Sequence, residues 1–139
     1  MKITEMKITM INPDILDVLR KRVTKGRNVL VKKFGKDYVK KINPDRLYMQ
    51  NFQGCILGQT FGEYSKGVAR LARKNCQSME GRKWGINHGF LIEPWTYGDP
   101  IDGIDPDFSN ALLDNGGCSQ LYSVLGELWR EQMIKDSKS

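Results

Sequence analysis

One histidine, three cysteines and a string of aspartates offer the most chemistry in this chain, and their spacing restricts what they can do. His88 is the sole imidazole, which removes every metal motif built on two histidines. Together with Cys55, Cys76 and Cys118 it would complete a four-ligand zinc set. Structural zinc sites, however, usually draw their ligands in close pairs, and no C-x-x-C occurs here. The expectation is free thiols, a partly buried histidine and no metal. A Cys-His nucleophile pair is compatible with the composition and supported by no local signature. The string Asp99-Pro100-Ile101-Asp102-Gly103-Ile104-Asp105-Pro106-Asp107 places four carboxylates in nine residues. As a calcium loop of the EF-hand type it fails, because the twelfth position is Asn110 counted from Asp99 and Leu113 counted from Asp102, not a bidentate glutamate. A solvated loop is the expectation, with weak divalent-cation binding or docking onto a basic surface as the alternatives.

The glycines match nucleotide-binding loops only in part. Gly62-Glu63-Tyr64-Ser65-Lys66-Gly67 has the first spacing of a phosphate-binding loop, but Val68-Ala69 follow where a lysine and a hydroxyl are required. Neither G-x-S-x-G nor G-x-G-x-x-G is present. The chain is therefore expected to be non-catalytic and without a cofactor.

Cations supply the more coherent pattern. Ten Lys and Arg against one acid, Asp37, lie between Arg20 and Lys41, including Arg20, Lys21, Arg22, Lys25 and Arg27. Lys66, Arg70, Arg73 and Lys74 recur at i, i+4, i+7 and i+8, one stripe of a helix, and Arg82-Lys83-Trp84 sets an aromatic beside two more charges. Residues 1–83 carry 19 basic against 7 acidic side chains, a balance of +12, whereas residues 84–139 carry 3 against 9, a balance of −6. Two consequences are open: contact between the basic half and a polyanion, or attraction between the two halves within the fold. An ordinary solvated helix face is the competing account of the stripe.

These side chains must be positioned by elements that the hydrophobic pattern makes mostly helical. Asn12-Pro13-Asp14 starts a helix, and Ile15, Leu16, Leu19 and Val23 form its apolar face. Gly26 is expected to end or bend it, before Val29, Leu30 and Phe34 lead to a cap at Gly35. Asn43-Pro44-Asp45 reads as a turn or a cap with a short helical turn. Leu57, Phe61, Tyr64, Val68, Leu71 and Ala72 share one helical face, so Cys55 to Ala72 is expected as one close-packed helix. Leu57, Phe61 and Tyr64 would lie in its core, and Gly58 and Gly62 would admit a neighbouring backbone. Residues 84–94 suit a short strand or a broken helix, and 94–110 a surface loop. Ser119 is expected to cap a last helix carrying Tyr122, Leu125 and Trp129. The fold class is mostly α, a single compact helical domain over residues 1–139, or α+β with a two- or three-stranded element near the N-terminus or Phe90. Residues 1–11 would be frayed or a short strand.

At 139 residues, 40% hydrophobic and 27% charged, the composition is that of a globular chain. No apolar run approaches the roughly 20 residues of a membrane span. The doubled MKIT of residues 1–10 lacks a signal-peptide core and leaves Met6 as an alternative start. Unpaired thiols and the missing leader point to the cytoplasm.

Arg46-Leu47-Tyr48-Met49, followed by Cys55-Ile56-Leu57-Gly58-Gln59-Thr60-Phe61-Gly62-Glu63-Tyr64, then His88-Gly89-Phe90, and Tyr122, Leu125, Trp129 and Arg130, resemble blocks in a group of small uncharacterised bacteriophage and prophage proteins, common in phages of actinobacteria. Those blocks read D-x-L-x-M, C-[IV]-L-G-Q-x-[FY]-G-x-Y, Leu-Gly-Phe and Y-x-x-L-x-x-x-W-R. The likeness spans residues 29–133. It departs at Tyr48, in the basic N-terminal third and around residues 94–117. It implies a phage-encoded cytoplasmic accessory protein and transfers no catalytic residue. The function expected is binding of nucleic acid or of a host nucleoprotein complex through the basic surface, in a regulatory or anti-defence role. The alternative is a protein-protein interaction module that inhibits or redirects a host enzyme, contacting it through the acidic loop or through Trp95 and Tyr97.

Overall fold

The computed structural model describes residues 13–92 and 117–138. Expectations for residues 1–12, for the 94–110 loop with its acidic string and Trp95 and Tyr97, and for the side chain of Cys118 lie outside the described residues. Five α-helices account for most of the rest: α1 (Pro13–Phe34), α2 (Ile56–Phe61), α3 (Tyr64–Ala72), α4 (Met79–Asn87) and α5 (Gly117–Ser137). Two 3₁₀ segments, Lys36–Lys41 and Pro44–Arg46, join α1 to the loop before α2. The fold is mostly α, and among the described residues there is no strand. In particular, Phe90 follows α4 in a turn rather than in a sheet.

α1 runs 22 residues without the break expected at Gly26. That glycine is instead a point of close approach. A Cβ there would collide with the carbonyl oxygen of His88 and come within 3.0 Å of Phe90 and Trp129. The cost of glycine in a helix, about 1 kcal/mol relative to alanine, is thus offset by packing against partners far along the chain. The expected cap at Gly35 is present, with φ of 74° and its N–H donating to Val31 O at 2.7 Å.

The stretch from Cys55 to Ala72 corrects the single-helix expectation. Gly62, at φ of 93°, ends α2, and α3 restarts at Tyr64. Nothing lies within 4 Å of a Cβ built on Gly62, so this glycine serves backbone geometry rather than packing. Gly58 does pack as expected: a Cβ there would strike the carbonyl oxygen of Phe52 and approach Gln53 Cα to 2.7 Å. Cys55 caps α2, its thiol sulfur accepting the N–H of Gly58 at 3.3 Å. Burial pushes that thiol's pKa up, which keeps it protonated and unreactive. α2 and α3 then fold against each other.

One buried cluster joins α1, α2, α3 and α5, from Ile15 and Leu19 on α1 through Leu57, Tyr64 and Val68 to Leu121, Leu125 and Trp129 on α5, and Trp84 of α4 packs against it. Phe61 and Tyr122 pack at its border. α5 already begins by Gly117, before the cap expected at Ser119. It packs along α1 with Arg20 paired to Glu131 at 3.0 Å and Arg27 to Asp136 at 2.8 Å. The pairs advance in the same sense on both helices, so the two run parallel.

Candidate nucleic-acid interface

The cations singled out from the sequence divide into two sets. On α1 most are engaged. Arg22 is buried, at 6% exposure. Arg27 donates through Nε and Nη2 to Asp136, which also accepts from the Tyr38 hydroxyl at 2.6 Å and from Gln132 at 3.3 Å. Burial alone would raise the pKa of Asp136, but these hydrogen bonds outweigh it and hold the carboxyl below its ordinary value. Burial and the bond to Asp136 push the Tyr38 hydroxyl up. Arg20 meets Glu131, and Lys21 pairs with Asp17 one turn before it at 3.0 Å. Only Lys25, of the five residues expected there, is an exposed cation with no ion pair among the described residues. The α1 group is therefore not a single free surface. Part of it is spent on the acidic C-terminal helix, the intramolecular attraction that the charge division had left open.

On α3 the outcome differs. Only Lys66 and Arg70 lie on the helix, which ends at Ala72; Arg73 is its cap and Lys74 follows it, so the expected four-residue helical stripe is cut in half. All four are nevertheless exposed, and none forms an ion pair among the described residues. Tyr64, Gly67 and Val68 turn the opposite face into the core. Arg73 closes the helix in the left-handed conformation, φ 55° and ψ 41°, a position usually given to glycine. A side chain held there costs roughly 1–2 kcal/mol of backbone strain. Arg82 and Lys83 follow on α4, Lys83 exposed and Arg82 half-buried.

The aromatic expected beside these charges is not where the sequence suggested. Trp84 is half-buried, stacked on His88 at 4.5 Å and on Phe90 at 5.4 Å, and Phe90 stacks in turn on Trp129 at 5.4 Å. His88 Nδ1–H donates to Trp84 O at 2.7 Å. Burial, with help from the charge of Lys25, depresses the histidine's pKa. This ladder of rings belongs to the core. Among the described residues the exposed aromatics are Tyr48 (60%) and Phe52 (66%), both on the loop before α2. Phe52 is not among the site residues expected from the sequence, although an aromatic inside the polar turn Asn51-Phe52-Gln53-Gly54 is a usable signal.

That turn is firmly built. Asn51 Oδ1 accepts from the N–H groups of Gln53 and Gly54, each at 2.8 Å, and the N–H of Tyr64 donates to Phe52 O at 2.9 Å. The Phe52 ring lies 5.7 Å from that of Tyr64, tilted by 26°. Phe52 and Tyr64 also line a cleft of ≈ 630 Å³ between the loop, α3 and α4, together with Glu63, Ser65, Cys76, Gln77 and Arg82 among others. Cys76 is a half-buried free thiol. Among the described residues no three His, Cys, Asp or Glu side chains converge as metal ligands would.

The residues of the four sequence blocks hold the chain together. Gln59 brackets Asn43, accepting its N–H at 2.7 Å and donating to its carbonyl at 3.2 Å. The Tyr122 hydroxyl clasps both backbone groups of Ile92, Trp129 Nε1 donates to Gly89 O at 2.7 Å, and Arg130 donates to Pro44 O and Leu47 O, each at 3.0 Å. Comparison with protein-family models, with curated proteins and with solved structures finds no match. No helix of the described residues is long and apolar enough to cross a membrane.

Proposed function

We propose that this chain is a non-catalytic accessory protein of the phage type, acting in the host cytoplasm, that binds nucleic acid or a host nucleoprotein complex through a basic surface centred on α3. The observation that carries the reading is the row Lys66, Arg70, Arg73 and Lys74. It stays exposed and unpaired among the described residues, in a molecule that neutralises Arg20, Lys21 and Arg27 with its own carboxylates. Where acids were within reach the fold used them, and α3 presents its charge to solvent. Lys83 extends that surface, and Lys25 adds a separate free cation on α1. Arg20, Lys21, Arg22 and Arg27 are assigned to stability instead.

Such binding is electrostatic. Neutralising Z phosphates of duplex DNA gives a slope of about −0.9Z in log affinity against log salt, and each lost cation flattens it by about one unit. Arg70→Ala with Arg73→Ala should weaken binding across sequences alike and flatten the slope by about two units. A salt titration of wild type against this double variant is the test. Equal slopes, or no nucleic acid held even at low salt, would remove the basic-surface reading. Recovery of a tight protein partner instead would favour an interaction module that inhibits or redirects a host enzyme, with Tyr48 and Phe52 as the exposed anchors.

A further inference from the structure

We propose that the cleft lined by Phe52 receives an unstacked base of a single-stranded nucleic acid whose phosphates follow the cations of α3 and its cap. The inference rests on the nucleic-acid reading above and adds to it the form of the ligand and a second contact surface.

Three features of the cleft favour a base over another occupant. First, Phe52 is a platform: one face of its ring rests on Tyr64 while two thirds of the residue is in solvent, and a base has a flat π-face that stacks on such a ring. The platform is fixed in place, since Phe52 O accepts from Tyr64 N–H and the Asn51 turn sets the backbone around it. Second, the walls carry hydrogen-bonding groups suited to base edges. Gln77 offers an amide and Glu63 a carboxylate that accepts from amino groups. The charges of Glu63 and Arg82 oppose each other in this wall, so the cleft has no net pull on a phosphate, whereas the cations outside it do. Third, the cation row adjoins the cleft. Ser65 lines it, and Lys66 is the next residue, about 100° further round the helix, with Arg70 one turn on along the same outer face and Arg73 at the cap that ends the helix. A base in the cleft therefore leaves its phosphates beside the row. In a duplex the bases are paired and stacked inside, so only a single strand or an extruded nucleotide can use both surfaces.

The test compares single-stranded and duplex oligonucleotides of equal length, DNA and RNA, with a fluorescent adenine analogue whose emission falls on stacking. Wild type should bind the single strand more tightly and quench the analogue. Phe52→Ala should weaken single-strand binding by about 5- to 150-fold, the range for losing one stacked base, and abolish the quench without changing the salt slope. Phe52→Tyr should retain both. Because Phe52 is exposed, Phe52→Ala should keep its far-ultraviolet dichroism, and melting curves confirm that a loss of binding is not a loss of fold. Equal binding of duplex and single strand, or an unaffected Phe52→Ala beside a weakened Arg70→Ala/Arg73→Ala variant, overturns the cleft and leaves the basic surface standing. If neither form of nucleic acid is held at low salt, both readings fall.

Discussion

The half-buried His88 and the buried Asp136 bind protons less readily in the folded chain than in the unfolded one. Both pKa values are depressed on folding, so acidification favours the unfolded state at each. The contribution of His88 is complete above its unfolded value of 6.5 and is lost as the pH falls through its lower folded value. That of Asp136 is complete above 3.8 and is lost on further acidification. The melting temperature should therefore drop in two stages, the first beginning near pH 6.5. With one histidine in the chain, that first stage has a single owner, and His88→Gln should abolish it while leaving the second. Persistence of the first stage in His88→Gln would contradict the assignment. At Gly58, leucine would be driven into the backbone of Phe52 and Gln53. Overpacking of this kind costs about 1–3 kcal/mol, read as a lower urea midpoint at constant m-value. Phe52 should shift with it, so nucleic-acid binding and stability are expected to fall together in Gly58→Leu.

Among the elements, α3 ends on a residue that stability alone would not choose. Arg73 occupies left-handed backbone, so Arg73→Gly should relieve strain and stabilise the protein by about 0.5–1 kcal/mol. The same change deletes a cation of the row and should flatten the salt slope by about one unit. A variant that melts higher and binds less would show that the arginine is kept for contact. If Arg73→Gly gains stability and loses no affinity, Arg73 has no part in binding. Much of this architecture was legible from local signals. The Pro13 start, the Gly35 cap, the 3₁₀ turn at Asn43-Pro44-Asp45 and the face of Leu121, Leu125 and Trp129 all follow from spacing and backbone preference. The failures involve glycines. Gly26 and Gly62 carry the same local information, yet one sits inside an unbroken helix because His88, Phe90 and Trp129 press on it, and the other ends a helix with open space around it. Only distant partners distinguish the two cases, and spacing holds no record of them. The site was half legible for the same reason. Lys66 and Arg70 on α3 are a local pattern, whereas the pairing of Arg27 with Asp136 and the stacking of Trp84 depend on α5 and Phe90.

For the whole molecule, the opposed charges of the two halves have a partial structural explanation. Glu131 and Asp136 answer Arg20 and Arg27 across the α1–α5 contact, and Glu127 pairs within α5 with Arg130. Raising the salt should consequently weaken nucleic-acid binding far more than it lowers the melting temperature. The α3 charges are open to screening, while the Arg27–Asp136 pair is largely buried. The parallel packing of α1 against α5 also bears on how the chain comes to be folded in a cell. Arg27 and Asp136 are 109 residues apart. At a synthesis rate of about 5–20 residues per second, roughly 5 to 20 s separate the emergence of the two partners from the ribosome. Throughout that interval the nascent chain presents Val23, Gly26 and Leu30 with no Trp129 or Leu125 to cover them, and a cationic first helix whose Arg20 and Arg27 still lack Glu131 and Asp136. The growing polypeptide is thus at its stickiest, toward chaperones and toward the ribosome's own RNA, just before its last helix is made.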